Sequence, residues 1–501
     1  MAQLSAVLVN PPLFWGHLSH FEATRRSLPS ADDLAFYPGE HLGLGSIAGY
    51  CRSRGQAVAI VNGLVAEHVS VGETFDLIKA RIDGEGVPLL IGFSGTSLVF
   101  QAMRALVRRC KTAWPTVRII LGYDFATLNY AEIMELEPSV DYVCRGEGER
   151  VFSKLIDCLA SGADTSSIAG LVYRAGDGRI LGNEPKAMDI NELPRVARDE
   201  LAEVLAKGFG AGVIASRGCP YRCSYCSLGE TSSLYGKDAY RLRDIERVVD
   251  EIEYMQRDFG VDTVTIVDDL FLTRSPSSQS RAEAFADLMV QRNVKVRWMM
   301  DCRVDSIERK LFQRLHAAGL RKIFVGIESP DPEVLARYNK RYLIKQERPA
   351  QRVRQAIDAG VEVVPGILTY DPHTTARSLR AVLDCIDELD WKGKYQLMNR
   401  VRAYPGTPLY EQYRAAGLLQ KGRWPNLEWV YDDPRVEDVA KRVSQVAMQP
   451  DSSYADVRGV FLAAIESLET NPHATPLGPL DAASAAAIAA GLETEGDGER
   501  N

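Results

Sequence analysis

The chain has 501 residues, of which 46% are hydrophobic and 25% charged, and a formal net charge of −8. This length and composition predict a soluble globular protein of two to four domains. Acidic and basic residues are interspersed without a basic block, which argues against a nucleic-acid partner. No apolar run approaches the roughly 18–20 residues that span a bilayer, and the first residues lack the basic start of a signal peptide. We therefore expect a cytoplasmic protein that does not associate with membranes.

Residues 1–160 are predicted to form a Rossmann-like, doubly wound parallel sheet. Apolar runs that end in turn residues alternate here with segments of helical apolar spacing. The predicted strands cover residues 6–10, 57–63, 89–95, 117–123 and 140–146. Ligands bind such a sheet at the carboxyl ends of its strands, where small and hydroxyl residues allow close approach to the backbone. The candidate cofactor-binding residues at these ends are Ser94, Thr96, Gly122, Tyr123, Gly146, Glu147 and Gly148.

A predicted hairpin and linker over residues 161–205 lead to a second α/β unit over residues 206–410. The strands predicted in this unit cover residues 212–216, 262–268, 295–301, 322–327, 361–368 and 395–402. Six strand–helix units with right-handed crossovers predict a partial (β/α)6 barrel, whose active-site groups come from the loops after the strands. Residues 411–501 are predicted to form a smaller C-terminal region that ends in a frayed tail.

Three of the nine cysteines lie within eight residues, directly after the first predicted barrel strand. Cys219, Cys223 and Cys226 have the spacing C-x3-C-x2-C, whereas the other six are scattered singly and are expected to be free thiols. Three thiolates on one loop can bind three irons of a cubane and leave the fourth iron open, unlike the four cysteines of an electron carrier. A zinc site would need a fourth ligand that the loop lacks, and incidental buried thiols are the remaining alternative.

The motif C-P-Y-R-C-S-Y-C at 219–226 resembles the signature of the radical S-adenosylmethionine (SAM) superfamily, whose partial (β/α)6 barrel matches the predicted pattern. The resemblance implies a [4Fe–4S] cluster on the three cysteines, with the open iron chelating the amino and carboxylate groups of SAM. It also implies reductive cleavage of SAM to a 5′-deoxyadenosyl radical, which takes a hydrogen atom from a small-molecule substrate. The implied electron donor is of the flavodoxin or ferredoxin type. Tyr225 matches the superfamily position beside the adenine.

Further candidates follow the second and third barrel strands. Asp268 and Asp269 end the second strand, and together with Tyr225 they are the candidate catalytic residues. A solvated turn pair or a helix cap is the alternative for the two aspartates. Arg303 follows the third strand and is a candidate partner for the carboxylate of SAM, with a surface ion pair as its alternative. Asp268 is also a candidate cofactor-binding residue.

The end of the fourth barrel strand carries the sequence Gly326-Ile327-Glu328-Ser329. It resembles the G-I-E-S motif of the superfamily, which lies near the SAM ribose. The glycine admits close approach, and the carboxylate can accept hydrogen bonds from ribose hydroxyls. Gly326, Glu328 and Ser329 are therefore candidate cofactor-binding residues, although Ser329 alternatively caps the following helix.

The order of a doubly wound domain, a hairpin and a cluster barrel resembles the branch of the superfamily with an N-terminal cobalamin-binding domain. Pro11-Pro12, H-L-G-L-G-S-I-A-G at 41–49 and R-G-E-G-E at 145–149 carry this resemblance. It implies cobalamin above the barrel mouth and a methyl group donated to a substrate carbon radical. Two features depart from the pattern. The first is the absence of the D-x-H-x-x-G loop, and His68 is interpreted as an ordinary surface histidine. The second is the bulky Tyr123, which stands where the corrin ring is expected. A domain that has the fold but binds no cobalamin is therefore the alternative.

These observations lead to three hypotheses. The first, based on domain order, is cobalamin-dependent C-methylation of a small natural-product intermediate of the kind found in antibiotic biosynthesis. The second is cobalamin-independent radical dehydration, epimerisation or rearrangement of a polyol or aminosugar. It is motivated by Tyr123 and by the acidic residues Asp268, Asp269, Asp301 and Glu328, which suit a cationic sugar. The third is a non-catalytic cluster protein, to which an open iron brings no advantage.

Overall fold

The computed structural model describes residues 4–12, 14–15, 18–19, 34–63, 70–340, 348–422, 424–449 and 451–470. His68 and the predicted tail at 480–501 lie outside these ranges. In the part of the chain that is described, no helix is both long and apolar enough to cross a bilayer.

The N-terminal unit is a seven-stranded sheet with helices on both faces. Its strands in chain order are β1 (Ala6–Asn10), β4 (Val58–Asn62), β5 (Leu90–Ser94), β6 (Arg118–Gly122), β7 (Tyr142–Cys144), β8 (Leu171–Arg174) and β9 (Ile180–Gly182). Two short strands between β1 and β4, β2 (Phe14–Trp15) and β3 (Leu18–Ser19), form a separate hairpin. The spatial order is β4-β1-β5-β6-β7-β8-β9. The first five strands in this order, including β1, are parallel. The predicted hairpin of β8 and β9 adds two antiparallel strands at one edge. Strand order reverses between β1 and β5, which is the topological switch point of a doubly wound sheet.

Two hydrophobic cores lie on opposite faces of this sheet. The helices are α1 (Leu42–Ser53), α2 (Val71–Glu85), α3 (Phe100–Ala113), α4 (Tyr123–Leu128), α5 (Tyr130–Leu136) and α6 (Gly148–Ser161). Side chains of α1 and α6 form one core, and those of α2 to α5 form the other. The strands are buried on both sides, which explains why they appear in the sequence as continuous apolar runs.

The second unit is a parallel five-stranded sheet in the order β10-β13-β14-β15-β16. Its elements in chain order are α7 (Leu201–Ala206), β10 (Ala211–Val213), β11 (Ser216–Arg217), α8 (Ser227–Ser233), β12 (Arg241–Leu242), α9 (Ile245–Phe259), β13 (Thr263–Ile266), α10 (Pro276–Gln291), β14 (Arg297–Arg303), α11 (Arg309–Ala317), β15 (Leu320–Glu328), α12 (Pro332–Arg337), α13 (Pro349–Asp358), β16 (Glu362–Ile367) and α14 (Ala376–Glu388). Strands β11 and β12 form a separate antiparallel pair. Alternating strands and helices with all five strands parallel make this unit a partial barrel.

Residues 395–402 do not form the sixth barrel strand that the sequence predicts. A 3-10 helix occupies Lys394–Met398, and a single parallel bridge joins Tyr370 to Arg400. The backbone N–H of Val401 donates to Tyr370 O (2.9 Å), so this segment pairs with the chain beyond β16 rather than with β16 itself. Three further helices, α15 (Pro408–Ala415), α16 (Pro434–Ala447) and α17 (Tyr454–Thr470), extend the barrel core.

Alternation along the barrel strands separates an outer face from an inner one. On β14 and β15, the side chains of Trp298, Met300, Ile323 and Val325 are fully buried in the core shared with the outer helices. Their neighbours in sequence therefore point to the inner, concave face. Residues 34–40 of the N-terminal unit run along that face: Gly210 N donates to Tyr37 O (2.9 Å), and an added Cβ at Gly210 would lie 1.8 Å from Ala35 O.

Candidate active site

The three cysteines of the motif lie on one loop between β11 and α8. Gly218 begins the loop with φ +82°, and an added Cβ there would lie 1.9 Å from Ala239 O, so only glycine fits. Cys219 N donates to Ser232 Oγ (3.1 Å), and Cys226 N donates to Cys223 O (3.1 Å). These two bonds hold the first and last cysteines of the motif within a compact loop.

The middle of the cluster loop is fixed by later parts of the barrel. Ser224 N donates to Tyr338 O (2.8 Å), and Ser224 Oγ donates to Arg337 O (3.0 Å). Leu409 N, at the start of α15, donates to Ser224 O (2.8 Å). Backbone bonds to two distant helical segments leave the loop little freedom, so the ligand positions are set before any cofactor binds.

The chemistry of this donor set fits an iron–sulfur cluster. All three cysteines are partly exposed and form no disulfide. Burial raises the pKa of the Cys219 thiol to about 11 and that of Cys226 to about 12, and coordination to a metal cation removes such protons. In the described residues, no three His, Cys, Asp or Glu side chains surround a single metal position. A cubane does not require such convergence, because each thiolate binds a different iron.

Tyr225 is joined to the end of β15 by a short polar chain. Its hydroxyl donates to Glu328 Oε1 (2.8 Å), which also accepts from Lys340 Nζ (2.5 Å). An added Cβ at Gly326 would lie 2.7 Å from both Glu328 Oε1 and Lys340 Nζ. Glu328 itself has φ +60°, at an irregularity in the pairing of β15 with β16. The structure thus places three of the predicted residues, Tyr225, Gly326 and Glu328, together at one strand end, and adds Lys340, which no sequence pattern indicated.

The tight packing at Gly326 leads to a testable expectation. We expect Gly326→Ala to push the end of Lys340 away from Glu328 and to destabilise the fold by about 1–3 kcal/mol, because it weakens a largely buried ion pair. Urea unfolding measures this change. The matched control is Gly84→Ala in α2, where an added Cβ meets nothing within 4 Å. Equal stabilities of the two variants would contradict the expectation.

Arg303 and Ser329 have partners within the protein. The guanidinium of Arg303 pairs with Asp305 (2.9 Å) and stacks over the ring of Tyr221, 3.9 Å from its centroid, on the cluster loop. A role for Arg303 in holding SAM stays a prediction. Ser329 Oγ accepts from Asp331 N (3.1 Å), and it is Asp331 that caps α12. The hydroxyl of Ser329 therefore stabilises the turn before α12 and does not cap that helix. A cofactor contact of Ser329 stays a prediction.

The two aspartates after β13 have different surroundings. Asp268 is buried and accepts from Ala215 N and Ser216 Oγ (2.7 Å each), which ties the second strand end to the cluster loop. Burial raises its pKa to about 6 despite these bonds. Asp269 accepts from Gly218 N (3.0 Å) and is exposed to the space between the two units. The geometry therefore favours a positioning role for Asp268, while a catalytic role for the exposed Asp269 stays a prediction.

The carboxyl edge of the N-terminal sheet faces the cluster loop. Burial lowers the pKa of His41 to about 4. Its Nδ1 accepts from Leu44 N (3.2 Å), so the neutral ring carries its proton on Nε2 and donates it to Ser94 Oγ (3.1 Å). Thr96 Oγ1 accepts from Leu98 N (3.3 Å). The hydroxyls predicted to contact a cofactor are thus partly engaged in the protein.

Tyr123 projects from this edge into the space between the two units. It follows the open Gly122, where an added Cβ would meet only Cys144, and it adopts φ +83°. Tyr123 is 47% exposed to solvent-accessible space, but protein groups surround that space. This enclosure removes water from around the hydroxyl and raises its pKa. The next residue, Asp124, accepts a short hydrogen bond from Ser227 Oγ at the start of α8. The edge of the sheet and the cluster loop are therefore in direct contact.

The R-G-E-G-E segment has a role that the sequence did not indicate. Arg217 pairs with Glu149 (2.5 Å) and with Glu147 (3.2 Å), and Arg241 pairs with Glu147 (2.7 Å). Both oxygens of Glu147 are engaged, so its predicted cofactor contact is not favoured by the geometry. Gly148 permits packing on α1, because an added Cβ would lie 2.6 Å from Ile47 Cδ1.

The last of these predicted ligands is Gly146, at the turn after β7. It has φ +89°, and an added Cβ would lie 2.1 Å from the hydroxyl oxygen of Tyr235. That oxygen accepts from Glu147 N (2.7 Å). Gly146 thus admits a tyrosine from the barrel unit, and the turn serves as a contact between the two units.

Comparison with known proteins agrees with this architecture. Residues 213–386 match the radical SAM superfamily and residues 34–156 match the B12 binding domain. An uncharacterized methyltransferase of Pyrococcus horikoshii is 27% identical over 391 residues, which cover 77% of this chain and 81% of the relative. An anaerobic magnesium-protoporphyrin IX monomethyl ester cyclase of Rubrivivax gelatinosus is 27% identical over 66% of this chain, and the match spans only 59% of that enzyme. The structure of the cobalamin-dependent SAM radical enzyme OxsB with aqua-cobalamin bound superposes with a TM-score of 0.71 at 17% identity, covering 99% of this chain and 71% of OxsB.

The fold and the cluster loop together define a radical SAM enzyme with a second, cofactor-binding α/β domain. The chain belongs to the radical SAM superfamily, in the branch with an N-terminal B12-binding domain. The cofactors of these domains are a [4Fe–4S] cluster and SAM for the barrel, and cobalamin for the N-terminal sheet.

Proposed function

We propose that this enzyme uses cobalamin and a SAM-derived radical to methylate a carbon atom of a small-molecule intermediate. The observation that carries the proposal is the contact between Asp124 and Ser227, which sets the carboxyl edge of the B12-binding domain directly against the cluster loop. A methyl carrier on that edge and a radical source on that loop would face one shared space. The methyltransferase of Pyrococcus horikoshii, similar over most of both chains, supports the same reaction class.

The bound cluster and SAM supply a radical that takes a hydrogen atom, and bound cobalamin supplies a methyl group. The protein contributes position and charge. Cys219, Cys223 and Cys226 would hold the cluster, and Glu328 with Tyr225 offers hydrogen-bonding groups beside it. His41 and Tyr123 stay neutral at physiological pH, because the histidine pKa is lowered and the tyrosine pKa raised. A neutral imidazole can bind a metal only through a free nitrogen lone pair. The Nδ1 of His41 accepts from Leu44 N and its Nε2 donates to Ser94, and the hydroxyl of Tyr123 stays protonated, so we expect cobalamin to bind without a ligand from either side chain.

The test is anaerobic reconstitution with iron, sulfide, cobalamin and SAM labelled on the methyl group. We expect tightly bound cobalamin, reductant-dependent 5′-deoxyadenosine, and S-adenosylhomocysteine whose formation requires cobalamin. The matched control is the same protein reconstituted without cobalamin, which should still form 5′-deoxyadenosine. Protein that retains no cobalamin and forms no S-adenosylhomocysteine would refute methyl transfer.

A second candidate is radical dehydration, epimerisation or rearrangement without methyl transfer. Tyr123 favours it, because its bulky exposed ring follows the strand end at the sheet edge where the corrin is expected. The similarity to an enzyme named as a cyclase shows that relatives at this level of identity are not all named methyltransferases. In the labelling experiment this candidate predicts 5′-deoxyadenosine without S-adenosylhomocysteine.

A further inference from the structure

The inner face of the barrel has solvent-accessible space, called the inner cavity below, that the cluster loop does not account for. In the strand register, Asp301 of β14 pairs with Phe324 of β15, and Val267 follows β13 at the same level. Their side chains point to the inner face, yet Val267 is 41% exposed and Phe324 is 38% exposed. Tyr37, on the segment that runs along this face, is 44% exposed. Side chains exposed at the centre of a covered sheet must line a cavity.

Asp301 contributes a carboxyl group to this cavity. Within the described residues, its carboxyl group forms no hydrogen bond and no ion pair, although it is exposed to the cavity. Burial raises its pKa to about 7, and the like charge of Asp268 adds to that shift. A carboxylate held this way costs stability, and proteins retain such groups where a ligand uses them.

Cations near the cavity are committed to other partners. Lys322 pairs with Glu362 (3.0 Å) one layer below Asp301, toward the amino ends of the strands. Arg303 pairs with Asp305 one layer above, toward the cluster loop. The middle layer is therefore left with a carboxyl group that has no cationic partner among these side chains and that an ammonium group can pair with.

Two aromatic rings complete the surroundings of Asp301. The charge of Asp301 acts on the Tyr37 hydroxyl and, after burial, is the second cause of its raised pKa. The ring of Phe324 lies against the backbone of β16, because an added Cβ at Gly366 would be 2.4 Å from Phe324 Cζ. A carboxylate beside aromatic rings, in a space shielded from bulk water, is a favourable environment for an organic ammonium group.

We propose that Asp301, Tyr37 and Phe324 form the anchoring site for a protonated amine of the substrate. This inference rests on the proposed function, since it names the chemical class that the radical site acts on. Asp301 lies two residues before Arg303 on the same strand, which is about 7 Å along the strand. An amine bound there would present carbon atoms a few bonds away to the space beneath the cluster loop.

The test measures binding of a matched pair of probes, cyclohexylammonium and cyclohexanol, to the reconstituted holoenzyme by titration calorimetry. We expect the ammonium to bind at least about tenfold more tightly. Asp301→Asn should abolish this preference, and Phe324→Leu should reduce it. The control is Asp262→Asn, an exposed aspartate at the opposite end of β13, which removes the same charge outside the cavity. Asp301→Asn should also melt no lower than wild type, because it removes an unpaired buried charge.

The outcomes separate the possible ligands and the two proposals. Equal affinity for both probes, or a preference that survives Asp301→Asn, overturns the inference. The titration is repeated with saturating SAM, and loss of ammonium binding would show that the pocket belongs to SAM, which also overturns it. If the preference is confirmed but no SAM cleavage occurs, the proposed function fails while the amine site stands.

Discussion

Replacing any one of Cys219, Cys223 and Cys226 by alanine is expected to abolish SAM cleavage. With only two thiolates, two irons of the cubane lack a protein ligand, so the cluster is lost or no longer held with a single open iron. We expect iron and sulfide contents well below those of the wild type after identical reconstitution, and 5′-deoxyadenosine no higher than with reductant and no protein. Iron analysis and chromatography of the nucleoside products measure both effects.

The cysteine variants need a control that separates cluster loss from misfolding. Cys110→Ala in α3 removes a thiol that is buried in the N-terminal core, far along the chain from the cluster loop. It should lower the stability while the iron content is retained. If a protein with one motif cysteine replaced still contains iron and still cleaves SAM, the assignment of the cluster ligands is refuted.

The sequence predicted the units whose signals are local. The strands predicted at 6–10 and 117–123 appear as Ala6–Asn10 and Arg118–Gly122, because parallel strands buried on both faces are continuous apolar runs. The cysteine spacing and the G-I-E-S motif are equally local, and the structure brings Tyr225 and Glu328 into contact. Such features require no knowledge of distant parts of the chain.

The prediction was wrong where tertiary contacts decide the structure. The segment 395–402 has an apolar pattern suited to a strand, but Tyr370 N donates to Asn399 O (3.0 Å) and draws it beyond the end of β16. Glu147 shows the same limit of local patterns: its place after a strand end indicates a cofactor contact, but its side chain pairs with Arg217 and Arg241, 70 and 94 residues away. No local pattern indicates which distant cation meets which carboxylate.

These long-range contacts link the two cofactor domains mechanically. Arg217 lies two residues before Cys219, and its guanidinium pairs with Glu147, in the loop after β7, and with Glu149, in the first turn of α6. The position of the cluster loop therefore depends on the B12-binding domain, through charges that water reaches poorly. Radical chemistry needs donor and acceptor atoms held at a fixed separation, and a buried ion pair between the domains provides such a constraint.

The second large effect is expected from Arg217→Met. Glu149 is buried and also accepts from Ser46 Oγ (2.5 Å), so removing the guanidinium leaves a buried carboxylate without its cation. Breaking a buried pair in this way costs about 3–5 kcal/mol. We expect a loss of that size in urea unfolding, together with lower iron content, because the residues before Cys219 lose their anchor. Arg257→Met is the matched control, since its pair with Asp258 is exposed and screened by water, so its loss should leave the stability nearly unchanged.

A double variant distinguishes the lost pair from a general effect of removing Arg217. Glu149→Gln leaves a neutral amide at the same position, so Arg217→Met combined with Glu149→Gln should be less destabilised than the sum of the single variants. Burial alone would raise the pKa of Glu149 in the folded state, but the charge of Arg217 outweighs it and the pKa is lowered. The stability that this pair contributes is therefore fully present above the ordinary carboxyl pKa. It is lost as the pH falls through the lowered pKa of the folded state. Additive single effects at neutral pH, or an Arg217→Met protein as stable as Arg257→Met, would show that the two domains are held together by other contacts.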